Sequence, residues 1–541
     1  MKKLYLCVIL CLGIILRFIF LDKPEGLWND EYVSYMISQK PLLDGFWQGV
    51  MSQCHMPLYY LYLKLSTILF GTNDYVLRLS SVLPGILSIT VMYYIGKESN
   101  GKNTGFICAL FCACSSFLIY YSQEVRLYSL LFLISACSLL YTLRILKNTC
   151  PKNVVGYVIS NLFILFTHTI GFVYVFFNML YVSKKLYKSF KKQIIFIWGS
   201  VVVVILAILP LVIKILTEKT FSQWWGHFTT SKVLFVFTDY FSPTLTNLTN
   251  SPDNFFYNPT LEFVIFCIVP ALIAFGLIIR ALFRKENREL FYIAMLTFTV
   301  LCAASISGKL VLLTKYSIEI YPILILLFAL GASYTRVKTL KIGVLSIFFI
   351  LSLGFIAGNP KAPQRIPRSE GHKIVGDILK NLNLKSGDYI LFEYYAQDRF
   401  EKYFDFSKYN VLSINKGNFP EYLTQNGDYK KAYLSGHEFY KSTFSEQNNP
   451  YFANKLSDKI TTKIIPGQNL AVVILDSVSF FGNQQMLSIV NSENYTKIPL
   501  FYLVFSHLKN QTVLNLMKTL EVEDFQTSGS WTVIKFTKLY K

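Results

Sequence analysis

The run Leu4-Tyr5-Leu6-Cys7-Val8-Ile9-Leu10 stays apolar to Leu21 and is followed, a short loop later, by Trp28-Asn29-Asp30-Glu31. Residues 4–21 are long enough to cross the hydrocarbon core of a bilayer as one helix. Met1-Lys2-Lys3 in front of an apolar run resembles a signal peptide, but the run exceeds a signal's apolar stretch and lacks an Ala-x-Ala site, so an uncleaved anchor is expected. The acidic pair then lands on the far face, near the interface, where carboxylates are costly unless solvated or used.

Composition extends this reading to the whole chain. The 541 residues are 53% hydrophobic, with a mean hydropathy of +0.41, which indicates a polytopic membrane protein. A net charge of +20 would suit nucleic acid, yet the Lys and Arg lie between apolar segments instead of on one soluble face, so nucleic acid is excluded as a partner. Eight of the ten cysteines fall within apolar segments and none follows Cys302, so neither a disulfide framework nor a thiolate metal site is expected.

The basic residues set the topology. With the N-terminus inside, Lys97 and Lys102, Arg144 to Lys152, Lys184 to Lys192, Arg280 to Arg288 and Arg336 to Lys341 all fall on the inner side, provided that the apolar segment 57–70 does not cross. That segment is therefore expected to be re-entrant or interfacial. The expected fold is a polytopic α-helical membrane protein with about 11–13 transmembrane helices. It comprises a transmembrane domain over residues 1–358, with outer-face loops 22–75 and 215–260, and a soluble outer α/β domain over 359–541. In the latter, Gly371 to Leu382 predicts an amphipathic helix, and the runs at Tyr389, Leu470 and Trp531 predict strands.

The polar residues of the outer turns are the functional candidates. Asp30 and Glu31 read as a general base or as solvated or capping carboxylates. His55, ahead of Met56-Pro57, reads as an anion or metal contact at a helix start or as an interfacial histidine. Gln123, Glu124 and Arg126 crowd a short turn, where Arg126 suits bidentate phosphate recognition and a Glu124–Arg126 pair is the structural alternative. Arg78 reads as a phosphate contact or as a snorkelling partner of Asp74. Lys315-Tyr316 reads as a lipid-phosphate contact or an interfacial anchor, and His168 as a metal ligand or a satisfied structural histidine.

In this order the residues resemble the bacterial branch of the GT-C membrane glycosyltransferases, which includes protein O-mannosyltransferases and lipid A aminoarabinose transferases. The motifs that carry the resemblance are Asp30-Glu31, His55-Met56-Pro57-Leu58-Tyr59-Tyr60, Arg78-Leu79-Ser80, Gln123-Glu124-Val125-Arg126-Leu127-Tyr128 and Lys315-Tyr316 with Pro322. Met56, Ser80 and Lys315 depart from the usual Pro, Pro and Arg. The resemblance implies a GT-C-like bundle and transfer of a sugar from a polyprenyl-phosphate donor to an envelope lipid, glycan or protein. It implies inversion at the anomeric carbon, with Asp30 and Glu31 as catalytic carboxylates, and Asp30 as the base. His55, Arg78, Gln123, Glu124, Arg126, Tyr128, Lys315 and Tyr316 would hold donor phosphate and lipid. No metal ligand is assigned; some relatives use a divalent metal and others do not. The expected location is the bacterial cytoplasmic membrane, with the site on the extracytoplasmic face. A transporter of lipid-linked glycans or a membrane-anchored glycan-binding protein are the alternatives; clustering of polar groups at one face, without an internal repeat, favours an enzyme.

Overall fold

The computed structural model describes residues 2–19, 21, 26–43, 45–52, 56–207, 209, 213, 230–241, 265, 268–307, 312–358, 372–392, 400–413, 469–475, 521–528 and 531–537. They form two compact units, one of Met1–Lys23 with Asp30–Ile366, the other of Pro24–Asn29 with Pro367–Lys541.

The first unit is a helix bundle. Among the described residues four helical stretches are long and apolar enough to cross a membrane: Asp74–Asn100, Tyr128–Lys147, Lys285–Ile306 and Thr314–Ser333. A fifth span is broken: Lys102–Cys114 and Ser116–Ser122 meet at a 57° bend. Shorter apolar helices include Leu58–Phe70 and Val269–Leu282, while Lys2–Phe18 carries the first apolar run. Thr314–Ser333 is buried almost along its length, so this helix runs through the middle of the bundle and meets protein on every side. Its first seven residues are a 3-10 turn, Thr314–Ile320, and Pro322 sits in the first turn of the α-helix that follows, where no N–H is needed.

The Leu58–Phe70 helix is short. Thirteen residues rise about 20 Å, short of a hydrocarbon core of about 30 Å. Its middle is bound to the helices on either side of it in sequence: Tyr62 Oη donates to the Ser80 carbonyl, and Lys64 Nζ donates to the carbonyls of Ser38 and Lys40. The chain thus re-enters Asp74–Asn100 at the end where the first helix finishes, and Arg78 Nη1 donates to the Leu21 carbonyl at 3.0 Å. At the other end the basic loops pair with one another. Arg144 Nε lies 2.9 Å from Glu98 Oε1, Lys185 Nζ 2.5 Å from Glu289 Oε2, and Arg284 stacks on the Tyr334 ring at 3.9 Å.

The second unit carries a five-stranded sheet, β1 Tyr389–Phe392, β2 Asn410–Ser413, β3 Asn469–Leu475, β4 Glu521–Ser528 and β5 Trp531–Thr537, in the order β2-β1-β3-β5-β4. β1 is parallel to β2 and β3; β5 is antiparallel to β3 and β4. Helix His372–Asn381 buries Val375 and Leu379 with Ile390, Phe400 and Phe404. Asp388 fixes the head of β1 to β3, accepting from the Asn469 amide at 3.0 Å and from its side chain at 2.8 Å. The Leu27 amide donates to Tyr403 Oη at 2.8 Å, and its carbonyl faces His372 Nδ1 at 3.2 Å. Most of the 215–260 loop lies outside the described residues.

Candidate active site

Asp30 and Glu31 open the Asn29–Gln39 helix, where acidic residues suit the positive end of the helix dipole. Adjacent on the chain, they diverge by about 100° around the helix and meet different partners. Glu31 is fully buried. Its Oε2 lies 3.3 Å from Arg78 Nη2, and its Oε1 lies 3.4 Å from Arg78 Nε while accepting the Val125 amide at 3.0 Å. One carboxylate thus joins the first outer loop, the start of Asp74–Asn100 and the 123–127 turn. Arg78 is equally buried, and its Nη1 also donates to the Leu21 carbonyl.

Asp30 keeps 16% of its side chain exposed and faces two cations. Arg126 Nη2 approaches Asp30 Oδ2 at 3.7 Å and Lys315 Nζ approaches the same oxygen at 3.9 Å. Arg126 is held in place from behind: Nη1 donates to the Asp30 carbonyl and to Ser34 Oγ, each at 3.3 Å, while Ser34 Oγ donates to the Asp30 carbonyl at 2.9 Å. Burial alone would lower the Arg126 pKa, but Asp30, followed by Tyr128, Tyr60 and Glu124, outweighs it and holds the guanidinium above its ordinary value. Arg126 is therefore a permanent cation. Lys315 Nζ stands 5.6 Å from the Tyr128 ring centre and 5.4 Å from that of Tyr316, within cation–π range of both.

The 3-10 turn carrying Lys315 is clamped by partners invisible to local sequence. Tyr240 Oη bonds to the Thr314 carbonyl at 3.2 Å and to Ser317 Oγ at 2.8 Å, and Thr314 Oγ1 donates to Asp239 Oδ2 at 2.8 Å. Both partners come from helix Thr230–Phe241, inside a stretch that reads as an outer loop in sequence. His168 Nδ1 lies 2.7 Å from Glu319 Oε1, with both side chains buried, so this histidine has a carboxylate partner.

The structure brings Asp30, Arg126, Lys315, Tyr128 and Tyr316 together. It turns Glu31 and Arg78 onto each other and onto backbone. Gln123 Nε2 donates to the carbonyls of Arg17 and Ile19, and Glu124 is buried beside Arg126. His55 lies outside the described residues. Ser34, Arg17, Asp239 and Tyr240 were not singled out in sequence. A lone Arg within an apolar span is a recognisable signal for Arg17; nothing local marks the other three. Among the described residues no group of three His, Cys, Asp or Glu side chains could hold a metal ion.

A family model described as dolichyl-phosphate-mannose-protein mannosyltransferase matches residues 54–213. No curated protein sequence matches the chain. Among solved structures, ArnT from Cupriavidus metallidurans is similar in its apo state, with a TM-score of 0.54 at 12% identity over 98% of each chain. The same protein bound to undecaprenyl phosphate gives 0.54 at 13% identity, over 98% of this chain and 97% of that one. The Archaeoglobus fulgidus oligosaccharyltransferase tethered with an acceptor peptide gives 0.50 at 10% identity, over 100% of this chain and 74% of that one. The family model spans residues 54–213, which include Arg78, Arg126 and Tyr128 but neither Asp30 nor Lys315, and along nearly its whole length the chain shares the fold of these ArnT structures.

Proposed function

We propose that this protein transfers a sugar from a polyprenyl-phosphate donor to an acceptor of the cell envelope, at the outer face of the cytoplasmic membrane. The observation that carries the reading is a mostly buried carboxylate flanked by two cations on one oxygen: Asp30 between Arg126 and Lys315. The ArnT structure with undecaprenyl phosphate supports a lipid phosphate as the group those cations meet.

Asp30 takes the proton of the acceptor hydroxyl as its oxygen attacks the anomeric carbon, and the bond from that carbon to the phosphate oxygen breaks, with inversion. A positioned base of this kind contributes about 10²–10⁴-fold. The leaving group is a phosphate already charged, so it needs no proton; it needs countercharge, which Arg126 supplies as a two-pronged donor and Lys315 as a point charge. When the phosphate arrives it competes with Asp30 for both cations, which frees the carboxylate to accept a proton. Glu31 is the neighbour that does not react: paired to Arg78 and bound to the Val125 amide, it fixes the turn that carries Arg126.

The test is a donor-dependent assay with purified protein in membranes, following release of free polyprenyl phosphate from a panel of polyprenyl-phosphate sugars. Asp30→Asn is expected to lose turnover by about 10²-fold or more while remaining folded. Turnover undiminished in that variant removes Asp30 as the base. Lipid-linked sugar flipped across the membrane without release overturns the transferase reading in favour of a transporter.

A further inference from the structure

The first helix carries a residue foreign to its surroundings. Arg17 is fully buried in the apolar run, where a guanidinium is expensive. No carboxylate among the described residues lies within ion-pair distance of it. Its partners are backbone and hydroxyl oxygens: Nη2 donates to the Cys112 carbonyl at 2.9 Å, Nη1 to the carbonyls of Ala113 at 3.2 Å and Gly13 at 3.1 Å, and Nε to Ser122 Oγ at 3.2 Å.

Two of those acceptors explain the choice of residue. In an unbroken helix the carbonyls of Cys112 and Ala113 would accept the amides four residues on. The 57° bend at Ser115 disrupts that pattern inside the bundle, where no water replaces a missing donor. Arg17 caps the exposed carbonyls, and its positive charge sits at the negative end of the Lys102–Cys114 helix. The fork shape matters, since one residue reaches both carbonyls and, past the break, the Ser122 hydroxyl. The neighbours leave room for it: a Cβ on Gly85 would collide with Ser122 Oγ and stand 2.9 Å from Arg17 Nε.

The arrangement is reciprocal. Gln123, immediately after the broken helix, donates to the carbonyls of Arg17 at 3.1 Å and Ile19 at 2.8 Å, capping the end of the first helix. Two residues further, the Val125 amide meets Glu31, and Arg126 meets Asp30. The geometry points to Arg17 as a positioning residue for the phosphate-binding cation: it holds the bend that aims Arg126 at the donor phosphate. This rests on the donor reading above.

The test uses the full chain in nanodiscs, with undecaprenyl phosphate as probe. Wild type is compared with Arg17→Lys, Arg17→Gln and Ser122→Ala, and with Met179→Ala as a control of lowered stability away from the bend. Binding affinity, thermal midpoint and amide exchange across residues 123–126 are measured on each. The expected result is roughly tenfold weaker binding in Arg17→Gln, from loss of hydrogen bonds to a charged group, partial rescue in Arg17→Lys, and faster exchange confined to the turn. Met179→Ala should lose thermal midpoint without losing affinity. Wild-type affinity in Arg17→Gln, or a loss matched by Met179→Ala, overturns the assignment. A wild type that does not bind undecaprenyl phosphate removes the donor reading and the role of Arg17 in it; exchange unchanged in the turn removes the latch itself. The two failures are thereby told apart.

Discussion

Asp30 and Glu31 are chemically near-identical and one peptide bond apart, yet their surroundings give them separate tasks. Glu31 sits in a buried ion pair with Arg78, where removing one partner strands the other charge. Glu31→Gln or Arg78→Met is expected to cost about 3–5 kcal/mol of stability, with the double variant recovering part of the loss. Thermal or denaturant unfolding of all four forms checks this, and strict additivity would rule out the pairing. On the proposed mechanism the same cycle leaves Asp30 in place, so a folded Glu31→Gln protein should retain more turnover than Asp30→Asn. That both carboxylates are candidates was legible from their place after the first span. Which of them is the open one was not, because a helix separates adjacent side chains by an angle whose consequence depends on what packs there.

At the scale of elements, two irregular stretches do the positioning. One is the break at Ser115; the other is the 3-10 turn Thr314–Ile320, which holds Lys315 out toward Asp30 instead of leaving it on a regular helix face. The turn is fixed from three sides by Asp239, Tyr240 and His168. His168→Leu is expected to leave Glu319 as an unpaired buried carboxylate, destabilising the protein by about 3–5 kcal/mol, whereas Glu319→Gln, which still bonds the imidazole, should cost less. Comparing the unfolding midpoints decides it: equal losses in the two variants would show that the pair is not charge-dependent. In sequence, Lys315 could be named from Lys-Tyr ahead of an apolar run with Pro322. Its clamp could not, since Asp239 and Tyr240 lie more than seventy positions away in a stretch that reads as loop.

For the whole molecule, the charges of the loops and the location of the site are linked. The basic loops pair around Glu98, Glu289 and Tyr334, and the candidate site gathers at the opposite end of the same helices. If the positive-inside rule holds, Lys102→Cys should be protected from a membrane-impermeant maleimide in intact cells, while Leu43→Cys, fully exposed near the site end, should react. Labelling is read against the unsubstituted protein, and the reverse pattern would invert the topology and put the site on the cytoplasmic side.

The membrane class, the α/β character of the tail and the turns that carry the candidate residues were all legible in the sequence. These follow from hydropathy, charge bias and strand-like runs, which act over neighbouring residues. Only the tertiary structure decided that Glu31 serves Arg78, that Asp30 is shared by Arg126 and Lys315, and that Arg17 caps a helix broken almost a hundred residues later. Those pairings depend on helix bends and on which faces meet across the bundle. Both are fixed by the need to satisfy every buried donor, acceptor and charge at once, a condition set by the packed whole.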